Sequence, residues 1–212
     1  MLAFEELQNT YTKNDNILIV LAPDDGNVFT PKTLEAVEWI TEQSWQIPYS
    51  IRVDSITNFQ HTKAEEDDLI VEDLVTEAAN LTDQELAEIK EIALKEPQLI
   101  YRLVSDKAHV TGVNVTVQLP GVSPQQEVPE AVTFTRDLAD QIRERFPHLK
   151  VYLSGIVMMN ISFEEASKSD LSTLVPLMYV VILVALGLLL RGLTGTFATL
   201  LLITFSIMGA MG

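Results

Sequence analysis

The chain has 212 residues, with 30 Asp and Glu against 14 Lys and Arg, a net charge of −16, and no cysteine. Such an acidic balance argues against nucleic acid and anionic lipid headgroups as partners, because both bind basic surface. The absence of thiols excludes a disulfide framework and leaves packing alone to hold the fold.

The opening MLAFEELQNTYTKNDN carries two glutamates and no continuous apolar core, so it does not read as a secretory signal. NILIVLA (16–22) is a short apolar run between Asn14, Asp15, Pro23 and Gly26, the pattern of a buried strand. A helix follows, with Thr30 as N-cap and Pro31 at its first position. Leu34, Val37, Ile40 and Ser44 fall on one face of it. SIRVDSIT (50–57) returns as a strand, completing a strand–helix–strand unit.

Residues 65–104 read as a helical insertion. EEDD (65–68), with Glu72 and Asp73 close by, has oxygen ligands suited to a cation, but it lacks the turn glycine and spacing of a calcium loop. It reads instead as a solvated helix start, where acids favour the positive end of the dipole. TDQE (82–85) is a capping box, with Thr82 as the cap and Glu85 reaching back. Leu86, Ile89 and Ala93 continue that helix, and Pro97 opens a new short segment.

A second unit follows. Val113, Val115, Val117 and Leu119 alternate with Asn114, Thr116 and Gln118, the period of two of a half-buried strand. The next helix carries Ala131, Phe134, Leu138 and Ile142 on one stripe, and KVYLSG closes the unit as a strand. Two such units predict an α+β, ferredoxin-like βαββαβ domain over residues 1–162, four strands backed by two helices. SFEE (162–165) offers a second capping box for a helix continuing into the next segment, with Pro176 as a kink.

Leu171–Leu190 and 193–212 are each close to the ~20 uncharged, mostly apolar residues that a bilayer-crossing helix needs. Arg191 is the only charged residue between Leu171 and Gly212. In so short a turn it marks the cytoplasmic side, which makes 163–212 a transmembrane helical hairpin and places the acidic domain outside the cytoplasmic membrane. Lys168, at the outer end of the first span, is surrounded by Glu164, Glu165 and Asp170. An exported domain with no export signal, and a second span with no polar flank, predict an internal fragment of a larger membrane protein.

Chemistry-bearing clusters are weak. His61, His109 and His148 are far apart in sequence and have no partner at metal-ligand spacing. Ser154-Gly155 lacks the preceding glycine of a nucleophile elbow and reads as strand-end geometry. Asn80, Asn114 and Asn160 each begin an N-x-Ser/Thr triplet, a common chance match. No catalytic, cofactor-binding or metal residue is expected, and the chain does not read as an enzyme.

The order of these parts, carried by VDSITNF (53–59), EIALKEPQLIYRLVSDKAHVTGVNVTVQLP (91–120) and YLSGIVMMNISFEEASKSDLSTLVPLMYVVILVALGLLLRGLTGT (152–196), resembles the resistance–nodulation–division (RND) exporter superfamily. The branch it is most similar to contains the mycobacterial membrane protein large (MMPL) transporters. The resemblance implies a porter-type outer domain after a first span the chain lacks, then the second and third spans of a multi-pass inner-membrane protein. It implies proton-driven export of hydrophobic or amphiphilic molecules, lipids among them, with the bilayer, the substrate and a second copy or internal repeat domain as partners. The proton-relay acids of such proteins lie in a later span, so no residue of this chain takes that role. Two other readings stay open: an RND-like auxiliary of protein translocation, and an extracytoplasmic sensor or binding domain tethered by a helical hairpin.

Overall fold

The computed structural model describes residues 15–65 and 68–190, together with 195, 198, 201–202 and 205–206. They fall into two compact units divided between Ile161 and Ser162. The first contains β1 (Asp15–Pro23), α1 (Pro31–Ser44), β2 (Ser50–Asp54), β3 (Gln60–Glu65), β4 (Asp68–Asp73), α2 (Asp83–Lys95), β5 (Thr111–Val117), α3 (Pro124–Arg145), β6 (Leu149–Ser154) and the opening turns of α4 (Ile156–Leu190).

Four strands form one sheet in the order β2-β5-β1-β6, antiparallel at every step. The architecture is α+β. Helix α1 joins β1 to β2, and α3 joins β5 to β6, so each crossover links two strands that run the same way with one strand between them. Strand β1 alternates strictly along its length: Ile17, Ile19 and Leu21 are fully buried, while Asn16, Leu18, Val20 and Ala22 are half-buried. The apolar run thus has two distinct faces. Its buried face packs with Val113, Val115 and Val117 of β5, Val37 and Ile40 of α1, and Leu138 and Ile142 of α3.

Local signals explain the helix starts. Thr33 N–H donates to Thr30 Oγ1 at 3.3 Å, with Pro31 in the first turn, and all four expected α1 positions are buried. At α2, Glu85 N–H donates to Thr82 Oγ1 at 3.4 Å and Thr82 N–H to Glu85 Oε2 at 2.8 Å, a complete capping box. Helix α3 begins at Pro124, ahead of the apolar stripe, because the buried Glu127 carboxylate gathers three backbone N–H groups. Gly121 donates at 2.8 Å, Val122 at 3.0 Å and Ser123 at 2.8 Å. Pro129, inside the helix, forfeits one intrahelical bond.

Four expectations need correction. The insertion is not helical from residue 65: β3 and β4 pair as an antiparallel hairpin, from Gln60↔Asp73 to Glu65↔Asp68, and the helix begins only at Asp83. EEDD is therefore no helix start; Glu65 ends one strand and Asp68 begins the next, while residues 66–67 lie outside the described set. On α3, Ala131, Leu138 and Ile142 are buried as expected, but Phe134 is only half-buried at the margin. Thr135 takes the buried place, its hydroxyl donating to Ala131 O at 2.7 Å. Finally, α4 starts at Ile156 and not at the SFEE box, because Val157, Met158 and Ile161 are buried in the sheet's core and set the helical phase first.

A second cluster lies beneath the insertion, where Val28, Phe29, Leu34, Ile56, Val75, Leu86, Ile89 and Leu99 are buried together. Loops thus gain a core of their own.

In the second unit, α4 continues to Leu190 with Pro176 inside it. The stretch Ile156–Leu189 is long and apolar enough to cross a membrane. The expected second span and the Arg191 turn lie outside the described residues, apart from six positions that are all helical.

Candidate functional site

The face of the sheet turned away from α1 and α3 carries a cleft of about 600 Å³. Its floor is Asn16 and Leu18 of β1, Arg52 and Asp54 of β2, and Asn114 of β5. One wall is the turn from Ser55 to Gln60, and the other the turn after α2 that carries Gln98, Leu99, Arg102 and Leu103. An adjoining hollow of about 320 Å³ shares Leu18, Arg102 and Leu103 and extends to Val20 and Gly112.

Strand register places the floor. Asp54, Asn114, Leu18 and Ser154 are successive partners across the sheet, and Arg52, Thr116 and Asn16 form the next row. Asn16 and Asn114 are therefore diagonal neighbours, within reach of polar side chains. Asn16 Nδ2 donates to Asn114 Oδ1 at 2.9 Å, and Asn16 Oδ1 accepts the Ile156 N–H at 3.1 Å, capping α4. Gly155 makes that approach possible: at φ +101° a Cβ would sit 2.5 Å from Asn16 O. This bears out the strand-end reading of Ser154-Gly155.

Most other polar groups are committed. Arg52 Nε donates to Asp54 Oδ1 at 2.7 Å. Asn58 clasps the first wall, accepting from Ser55 N at 2.8 Å and donating to Val53 O at 2.7 Å, and Gln60 donates to Asp73. The second wall is held by its backbone: Leu103 O accepts from Gly112 N and Thr111 Oγ1, both at 2.8 Å, and Tyr101 N donates to Val104 O at 2.8 Å. Tyr101 sits at φ +61°, a conformation unusual outside glycine that fixes the turn carrying Arg102.

The sequence candidates lie apart from this cleft, except Asn114, whose half-buried, hydrogen-bonded amide is part of the floor. His61 pairs across the hairpin with Glu72. His109 Nδ1 meets Ser105 Oγ at 2.9 Å, but that oxygen also accepts the N–H groups of His109 and Val110 at 3.1 Å each, so the pair clasps a turn. Both ring nitrogens of His148 are buried without a hydrogen-bond partner, and this desolvation pushes its pKa down. Among the described residues no group of three His, Cys, Asp or Glu is placed to hold a metal. The arrangement offers binding chemistry, with hydrogen-bond donors beside a mostly apolar hollow.

Sequence reasoning missed Asn16, Arg52 and Arg102. The signal for the first was its place at the head of a run that alternates in register with Asn114.

A family model described as the MMPL family matches residues 13–212. The chain belongs to the MMPL family. No curated protein matches it. Members of the MMPL family are membrane exporters of the RND kind, transporters and not enzymes, so the α+β unit and its apolar helix belong to a membrane protein.

Proposed function

We propose that this chain supplies the outer domain and a transmembrane hairpin to a proton-driven exporter of hydrophobic or amphiphilic molecules, lipids among them. The observation that carries this reading is the apolar half of α4. From Leu171 to Leu190 it has no charged residue, and most of its described side chains stand open, with Leu174 56 %, Val184 58 % and Leu189 80 % exposed. So continuous an apolar surface is costly in water and is satisfied by lipid.

Residues 1–162 form the extracytoplasmic porter-type domain in this reading, 163–212 the membrane region, and the Arg191 turn faces the cytoplasm. The sheet order β2-β5-β1-β6 with two helical crossovers supports a ferredoxin-like βαββαβ fold interrupted by the insertion. Partners are the bilayer, the exported amphiphile and a second copy or repeat of the domain. Because 171–212 contains no Asp, Glu, Lys or His, the proton-carrying group lies in another span, where an ionisable residue persists because it carries protons.

Everted membrane vesicles containing the full-length protein test this. Uptake of a fluorescent amphiphile should require a proton gradient and stop on addition of an uncoupler. Uptake indifferent to the uncoupler contradicts proton coupling.

A further inference from the structure

We infer that the cleft on the open sheet face binds the anionic headgroup of an amphiphile, a carboxylate or phosphate, with Arg102 as its charge partner and Asn114 as a second donor. The choice of an amphiphile rests on the export reading above. The choice of an anion rests on the cleft alone.

An exposed arginine is ordinarily a solvated cation, so its surroundings decide. First, the donors are uncommitted. Among the described residues the Arg102 guanidinium has no hydrogen-bond or ion-pair partner, although the chain carries a net charge of −16 and acids are plentiful. The oxygen of Asn114 is taken by Asn16, which leaves its own NH₂ group free to donate. The one acid on the floor, Asp54, is neutralised by Arg52 at 2.7 Å. What remains in the larger hollow is a locally positive, donor-rich cleft in an acidic protein, the electrostatics that attract an anion; the further acid, Asp106, lines only the adjoining hollow.

Second, the site is built in advance. The turn carrying Arg102 is pinned by the two bonds to Leu103 O and by the left-handed Tyr101. A guanidinium presented from a fixed backbone loses less freedom on binding. Third, the hollow adjoining the donors is mostly apolar, with Val20 and Val110 beside the two shared leucines. Leu18 and Leu103 are half-buried and line both hollows, so an alkyl chain leaving the headgroup has a furrow to follow. Donors at one end and a greasy furrow at the other match a charged head and an apolar tail.

The test uses the full chain in phosphatidylcholine nanodiscs, with empty discs as background, and calorimetric titration of decanoate, decanol and inorganic phosphate. Decanoate should bind more tightly than decanol or phosphate. Arg102→Gln should weaken decanoate at least tenfold and leave decanol unchanged, while Arg102→Lys recovers part of the loss. Unchanged far-UV circular dichroism identifies the variants as folded. Equal decanoate binding by Arg102→Gln and the parent overturns the proposal, as does decanol binding as tightly as decanoate. Phosphate binding that depends on Arg102 and matches decanoate would overturn the amphiphile and leave a free small anion as the ligand. Uncoupler-sensitive uptake without decanoate binding removes this site and keeps the export reading; decanoate binding without such uptake does the reverse.

Discussion

Asn16 and Asn114 meet at 2.9 Å across 98 residues of chain, and the same Asn16 side chain accepts the first N–H of α4 at 3.1 Å. One carboxamide thus joins the floor of the cleft to the start of the apolar helix. A donor on one side and an acceptor on the other require an amide; an aspartate keeps the cap and loses the donor.

Asn16→Ala leaves the Ile156 N–H and the Asn114 oxygen without partners, at a cost of about 1–3 kcal/mol. Hydrogen-exchange mass spectrometry should show faster exchange over 156–161, with protection in α1 unchanged. Asn16→Asp should retain most of the protection at 156–161. Identical exchange in Asn16→Ala and the parent would mean that the cap contributes nothing.

The phase of α3 makes a contrast between neighbours. Leu138 is 2 % exposed in the core, so Leu138→Ala should cost about 2–5 kcal/mol. Phe134 is half-buried at the margin, so Phe134→Ala should cost less than Leu138→Ala, and exposed Gln141→Ala under about 0.5 kcal/mol. Both tryptophans, Trp39 and Trp45, lie in the first unit, so their fluorescence in a urea titration of the full chain reports its unfolding. A larger loss at Phe134 than at Leu138 would reverse the assigned phase.

What was legible in the sequence followed from periodicity and local caps. Thr30 with Pro31, Thr82 with Glu85, and the alternation of Val113, Val115 and Val117 each need only neighbours a few residues away. The β3–β4 hairpin was not legible because Leu69 and Val71, two positions apart on β4, are exposed, so no period of two marks a core there. The starts of α3 and α4 were not legible for another reason. They are set by contacts with residues outside the helix: Glu127 gathering the preceding loop, and Val157 and Ile161 entering the sheet's core. The cleft was missed because Asn16, Arg52, Arg102 and Asn114 are scattered over nearly a hundred positions. Each alone looks like a polar residue on a solvated face.

Acid should weaken the first unit through two groups. Backbone N–H bonds from Ser123, Gly121 and Val122 hold the Glu127 carboxyl below its usual range against the effect of its burial. Its contribution is therefore full above the ordinary carboxylate pKa and is lost as pH falls through the lowered folded value. His148 is held neutral by burial, with its folded pKa below the ordinary value. The unfolded chain takes up that proton first, so stability falls as pH drops below about 6.5 towards the folded pKa. His148→Phe should flatten that earlier part of the pH profile of urea midpoints, and Glu127→Gln the later, more acidic part. Profiles parallel to the parent's would contradict both assignments.

The central claim is that the apolar half of α4 crosses a membrane with the α+β unit on its outer side. Single Ser105→Cys and Thr194→Cys variants of the full-length protein, in a background freed of any other cysteine, report each side without interference. A membrane-impermeant thiol reagent applied to intact spheroplasts should label Ser105→Cys, and Thr194→Cys only after the membrane is opened. Labelling of Thr194→Cys but not Ser105→Cys in intact spheroplasts would invert the topology, and labelling of both would remove the membrane crossing.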